Sequence, residues 1–147
     1  MILIAHRGNL SGKDEDQENK PSYLREALDK GYHVEVDVWD HEGSLFLGHD
    51  KPAYPVDASF LRHPRVWCHC KNLKALSHLN SLNKEVEQDI HYFWHQRDDA
   101  TLTNKKYIWA YPGKQPLEGS IAVLPELHKD DTSSCVGICS DYIEKYQ

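Results

Sequence analysis

The chain has 147 residues, 39% of them hydrophobic and 27% charged, and a formal net charge of -6. That length carries one domain with a real core and is too short for two ordinary ones, so residues 1–147 are read as a single domain. No stretch approaches the roughly 18 consecutive apolar residues of a membrane span, which argues against stable membrane insertion. The negative charge argues against non-specific binding to nucleic acid, which needs clustered Lys and Arg.

The first element is the short apolar run "MILIA", which ends in His6, Arg7 and Gly8. No basic segment precedes that run, so a cytoplasmic protein with reduced thiols is expected. Cys68, Cys70, Cys135 and Cys139 form C-x-C and C-x-x-x-C, without the two-residue gaps usual in structural zinc sites. Small buried residues are the simpler role for them, and a cysteine-held zinc module is the alternative.

After a polar loop comes "PSYLREALDKG", residues 21–31. Tyr23, Leu24, Ala27 and Leu28 recur at helical spacing, Pro21 suits the first helical position, and Gly31 suits the residue beyond the end. "YHVEVDVW" follows with a period of two, Val34, Val36 and Val38 on one face and Glu35 and Asp37 on the other. Strand, helix and strand within forty residues predict a right-handed βαβ unit. "HEGSLFLGHD" reads as a turn and a short extended piece ending in His49 and Asp50. "RVWCHC" is a further strand, and Leu73, Leu76, Leu79 and Leu82 make a helical stripe expected to pack in the core.

Beyond residue 90 the apolar runs "IHYFWH", "YIWAYP", "IAVLPE" and "CVGICS" arrive too closely for a full helix between each pair. The fold class expected is therefore α/β, an abbreviated TIM-type (β/α) barrel with few or short helices in its C-terminal half. Tyr92, Trp94, Trp109 and Tyr111 fall at period two and are assigned to core packing before a substrate wall. His41, His63, His78, His91, His95 and His128 receive no role.

Glu35 and Asp37 face either solvent at an edge or a polar interior. In a curled sheet they face inward, where unpaired charges are costly unless a cation neutralises them, and a divalent metal on carboxylate oxygens is the natural partner. Mutual repulsion between the acids predicts that Glu35→Gln or Asp37→Asn leaves the fold intact and raises its thermal stability. Glu18, in the loop before the first helix, is either a helix-start acid or a member of the same group.

"HRG", "EN" before a helix, "VEVDV" and "GSLFLGHD", in this order, resemble the amino-terminal half of the glycerophosphodiester phosphodiesterase family. "HCK" at 69–71 and "VGICSDY" near the end extend the likeness, with His69 where that family has an acid. The resemblance implies catalytic histidines at His6 and His49, phosphate contacts at Arg7 and Lys71, and metal ligands at Glu18, Glu35 and Asp37. His69, on the same strand face as Lys71, is a further ligand, a second-sphere group hydrogen-bonded to the acids, or a residue that only fills the interior. The cofactor implied is a divalent metal, Mg or Ca by the carboxylates, with Mn or Zn favoured by an imidazole. The implied activity is hydrolysis of a small-molecule glycerophosphodiester to an alcohol and glycerol phosphate, a step of lipid metabolism. A non-catalytic phosphate- or metal-binding protein of the same fold is the alternative.

Overall fold

The structure is a computed structural model that describes residues 1–84 and 89–147. β1 (Ile2–His6), α1 (Pro21–Asp29) and β2 (His33–His41) form the expected unit, with β1 and β2 parallel. Pro21 opens α1. Past its end the Gly31 N–H donates to the Leu28 carbonyl at φ +95°, a left-handed position that glycine takes without steric cost. β3 (Ser44–Leu47) folds back antiparallel on the outer half of β2, and β4 (Tyr54–Pro55) on β3. α2 (Ala58–Leu61) leads into β5 (Val66–Cys70), which pairs in parallel with the inner half of β2. α3 (Leu73–Leu82) is capped by the Asn72 side chain, which accepts from the Ala75 N–H at 3.0 Å.

β6 (His91–Trp94) joins β5 in parallel, while β7 (Ala100–Leu102) pairs antiparallel with β8 (Ile108–Ala110). β9 (Ser120–Val123) and β10 (Gly137–Ser140) carry the parallel order from β8 back to β1. Trp67 of β5 and Trp109 of β8 have ring centroids 5.8 Å apart. Between those two strands β2, β1, β10 and β9 intervene in the pairing order. Strands in a flat sheet lie about 4.8 Å apart, so only strong curling brings these rings together.

The expected TIM-type α/β barrel is not what forms. The sheet is a curled, mixed half-barrel dominated by strands, and the described residues hold three short α-helices, all before residue 83. The reason is connection length. Segments 111–119 and 124–136 join parallel strands as extended loop with one 3-10 turn, too short to cross back as a packed helix and its two links. Among the described residues β6 pairs only with β5 and antiparallel β7 only with β8, so the two ends of the curl are not joined as a barrel would join them.

Two apolar layers result. Outside the sheet, Val34, Val36, Val38, Cys68 and Cys70 pack under Leu24, Ala27, Leu28, Leu61, Ala75 and Leu79. Inside the curl, Ile4, Trp67, Phe93, Trp109, Ile121 and Val123 fill the floor. The leucine stripe of α3 is only partly met. Leu79 is buried and Leu76 and Leu82 pack at the margin, but Leu73 at the first turn is 68% exposed. No described helix is long and apolar enough to cross a membrane.

Candidate active site

Strand register assembles the site. Glu35 lies opposite His6 of β1, and Asp37 opposite His69 of β5, so four polar side chains share the inner face at the carboxyl ends of neighbouring parallel strands. Crevices at such ends are where ligands of open parallel sheets bind. Glu35 and Asp37 are 2% and 1% exposed, which decides the open question of facing: both acids point inward.

At the end of β1 the chain turns through Arg7 at φ +56° and Gly8 at φ +91°. A Cβ on Gly8 would meet the Tyr23 ring at 2.8 Å, so a glycine is required there. The left-handed Arg7 is held by its own N–H, which donates to the Glu35 carbonyl at 3.0 Å. Strain at a non-glycine residue with such support is a mark of functional sites. The guanidinium turns inward: Nη1 donates to Glu18 Oε1 at 3.3 Å, and Nε lies 3.2 Å from Asp37 Oδ2 as an ion pair without hydrogen-bond alignment. Arg7 Nη2 also stands 3.5 Å from His49 Nε2.

His6 is buried, and its Nδ1 is 2.7 Å from Asp141 Oδ1. Because a carboxylate only accepts, Nδ1 carries the proton and Nε2 faces the cleft, 4.0 Å from Glu35 Oε1. Burial disfavours the imidazolium, but the Asp141 hydrogen bond and the Glu35 charge outweigh it and raise the His6 pKa. Asp141 was not among the residues expected at the site. Its signal in the sequence was the acid directly after the last strand, within "VGICSDY".

His69 Nε2 donates to the His95 carbonyl at 2.8 Å, leaving Nδ1 3.4 Å from Asp37 Oδ1 and 3.6 Å from Glu35 Oε2. Burial opposes its charge, yet the two carboxylates push its pKa up to about 9. Asp37 Oδ2 accepts from Asn19 Nδ2 at 2.9 Å, whereas its Oδ1 is buried without a hydrogen-bond partner. Desolvation would raise the Asp37 pKa, but His49, His69 and Arg7 beside it hold it well below the usual carboxylate range. Ligand atoms of Glu35, Asp37 and His69 all lie within 4.8 Å of one another.

Of the other expected residues, His49 stands at the rim, 3.7 Å from Asp37 Oδ2, and Lys71 lines the cleft. Glu18 is buried but lies outside the three-residue group. Its oxygens are taken by Arg7 and by Asn9 Nδ2 at 2.7 Å. Cys68 and Cys70 face the helices, as strand alternation requires. All four cysteines are unpaired. No family model, no curated protein and no solved structure matches this chain.

Proposed function

We propose that the chain is a divalent-metal-dependent phosphodiester hydrolase acting on glycerophosphodiester-like small molecules in the cytoplasm. The observation that carries this reading is the meeting in one cleft of two imidazoles, His6 and His49, with Arg7, Lys71 and the buried group Glu35, Asp37 and His69. Simple anion binding needs no paired proton-transfer groups.

The residues fit a metal. Asp37 Oδ1 is a buried carboxylate oxygen without a hydrogen-bond partner, and it lies beside Glu35 and the His69 nitrogen in a donor set that suits a divalent cation. His69 offers Nδ1 while the His95 carbonyl orients the ring through Nε2, the second-sphere arrangement usual for metal-binding imidazoles. Two carboxylates and one imidazole would hold the ion, and the nitrogen moves the preference toward Mn or Zn over Mg or Ca. When bound, the cation supplies charge stabilisation to the phosphoryl oxygens.

The chain's own residues do the rest. Arg7 and Lys71 neutralise the phosphate and spread the charge that develops on it. One imidazole removes the proton of the attacking glycerol hydroxyl as its oxygen bonds to phosphorus. The other gives a proton to the departing alcohol oxygen as the bond from phosphorus to that oxygen breaks. A cyclic phosphate results, and water opens it with the two roles exchanged. Asp141 is a positioning residue, holding the His6 ring in the tautomer that keeps Nε2 toward the substrate.

The test follows the phosphorus resonance of a panel of glycerophosphodiesters incubated with the chain, with and without Mn, Mg, Ca or Zn. Appearance of glycerol phosphate only when metal is present is the expected outcome. Diesters that remain intact under every metal would show that the site binds without turnover.

A further inference from the structure

The cleft, about 510 Å³, has a second wall that the proposed chemistry does not use. Trp94 ends β6, Tyr111 and Pro112 follow β8, and Leu124 and Leu127 belong to the connection after β9. Leu124 sits at φ +46°, a left-handed conformation costly for a leucine, held by its N–H on the Cys139 carbonyl at 2.7 Å. The 3-10 turn Pro125–Leu127 then brings Leu127 to the cleft mouth, 63% exposed. An aliphatic side chain left open on a strained turn, beside the half-buried Tyr111 ring, is apolar surface available to a ligand.

The charge of this wall narrows the ligand. Glu35 is the one carboxylate among the described lining residues, and it belongs to the opposite, acidic end. Apart from Glu35 no described lining side chain offers a quaternary ammonium a countercharge, and the Lys71 ammonium opposes the attraction that the Tyr111 ring face holds for such a cation. On the reading that this is a diesterase, we infer that the alcohol leaving phosphorus is neutral and apolar, an alkyl or aryl group seated on Tyr111, Leu124 and Leu127. A choline-like cation is disfavoured there.

Equilibrium binding of hexyl phosphate, phenyl phosphate, phosphocholine and glycerol 3-phosphate, measured by calorimetry with and without Mn, tests this independently of turnover. Hexyl or phenyl phosphate is expected to bind on the order of tenfold tighter than phosphocholine, the effect of seating one to two methylene equivalents. A phenyl preference places a ring on Tyr111, a hexyl preference places a chain on Leu124 and Leu127, and both support the inference. Leu127→Asp, a change at an exposed position that spares the fold, and Tyr111→Ala should each bring the ratio toward one. Phosphocholine binding as tightly as the apolar esters, a ratio unmoved in both variants, or no binding of any monoester overturns the inference. Release of glycerol phosphate from the matching diesters separates the two readings. Turnover without an apolar preference leaves the hydrolase and removes the wall, and an apolar preference without turnover does the reverse.

Discussion

β2 and β5 lie under α1, α2 and α3 on one face and hold Glu35, Asp37 and His69 on the other, whereas β8 and β9 hold Trp109 and Val123 on the same inner side with no α-helix after either. The first region places charged groups where a few tenths of an ångström matter, and its strands are clamped by Leu24, Leu28, Leu61 and Leu79. In the second region loops such as 111–119 and 124–136 supply the lining. Rigid elements suit chemistry that depends on geometry, and an apolar wall tolerates looser support.

The largest difference is expected in turnover. His6→Ala should lower the rate by about two to four orders of magnitude with little change in metal affinity, the range for a lost general acid or base. A rate within a few fold of the wild type would remove His6 from proton transfer. In thermal or denaturant unfolding of the metal-free chain, Asp37→Asn should cost about 3 kcal/mol. The expectation of relieved repulsion between the acids is corrected here. Arg7 and His69 already compensate Asp37, and its removal takes one of two carboxylates from each of these buried cations. An unchanged or raised midpoint would restore the repulsion argument.

Packing sharpens the same contrast. Leu24→Ala under the helix-backed half should destabilise by about 2–5 kcal/mol, since it empties a fully buried position. Acid sensitivity has a separate origin at the opposite end of the strands. Burial, and Arg65 nearby, depress the His33 pKa to about 4, while burial and Lys105 depress that of His91 to about 3. Unfolded histidine takes a proton near pH 6.5, so this stability is complete above 6.5 and is lost as pH falls toward 4 and 3. His91→Gln, which can still reach the Thr103 hydroxyl, should flatten the fall in denaturant midpoint between pH 7 and pH 4.5. The smallest effect belongs to the helix-free half, where Leu127→Ala should stay within about 0.5 kcal/mol of wild type. A loss as large as that of Leu24→Ala would mean that the wall is core.

The unit β1–α1–β2 was legible because its two periodicities are clean and Pro21 and Gly31 punctuate the helix. The sequence placed Glu35 and Asp37 on one face and Val34, Val36 and Val38 on the other, but left open whether the acids met solvent or the interior, which only the curl of the sheet decides. The scarcity of helices after residue 90 was legible from the close spacing of the apolar runs, but the closed α/β barrel was not what formed, because the sheet is mixed and stays a half-barrel. β4 and β7 are too short to carry a periodic signal, whereas β3 pairs antiparallel with β2 through the local turn Glu42–Gly43, within the stretch read as a turn. Asp141 escaped because its partner His6 is 135 residues away in the chain and only the pairing of β10 with β1 brings them together. Tyr111, assigned first to the core, lines the cleft because it follows the inward-facing Trp109 by two residues, whereas Trp94 pairs with Cys70 and packs against the helix-side core as expected.

Equilibrium titration with Mn, followed by calorimetry on the wild type, Asp37→Asn and Glu18→Gln, tests the site most directly. The account predicts one site per chain in the wild type, its loss in Asp37→Asn, and its retention in Glu18→Gln, whose carboxylate is engaged by Arg7 and Asn9 instead. Equal binding by wild type and Asp37→Asn, or none by the wild type at millimolar metal, would contradict it.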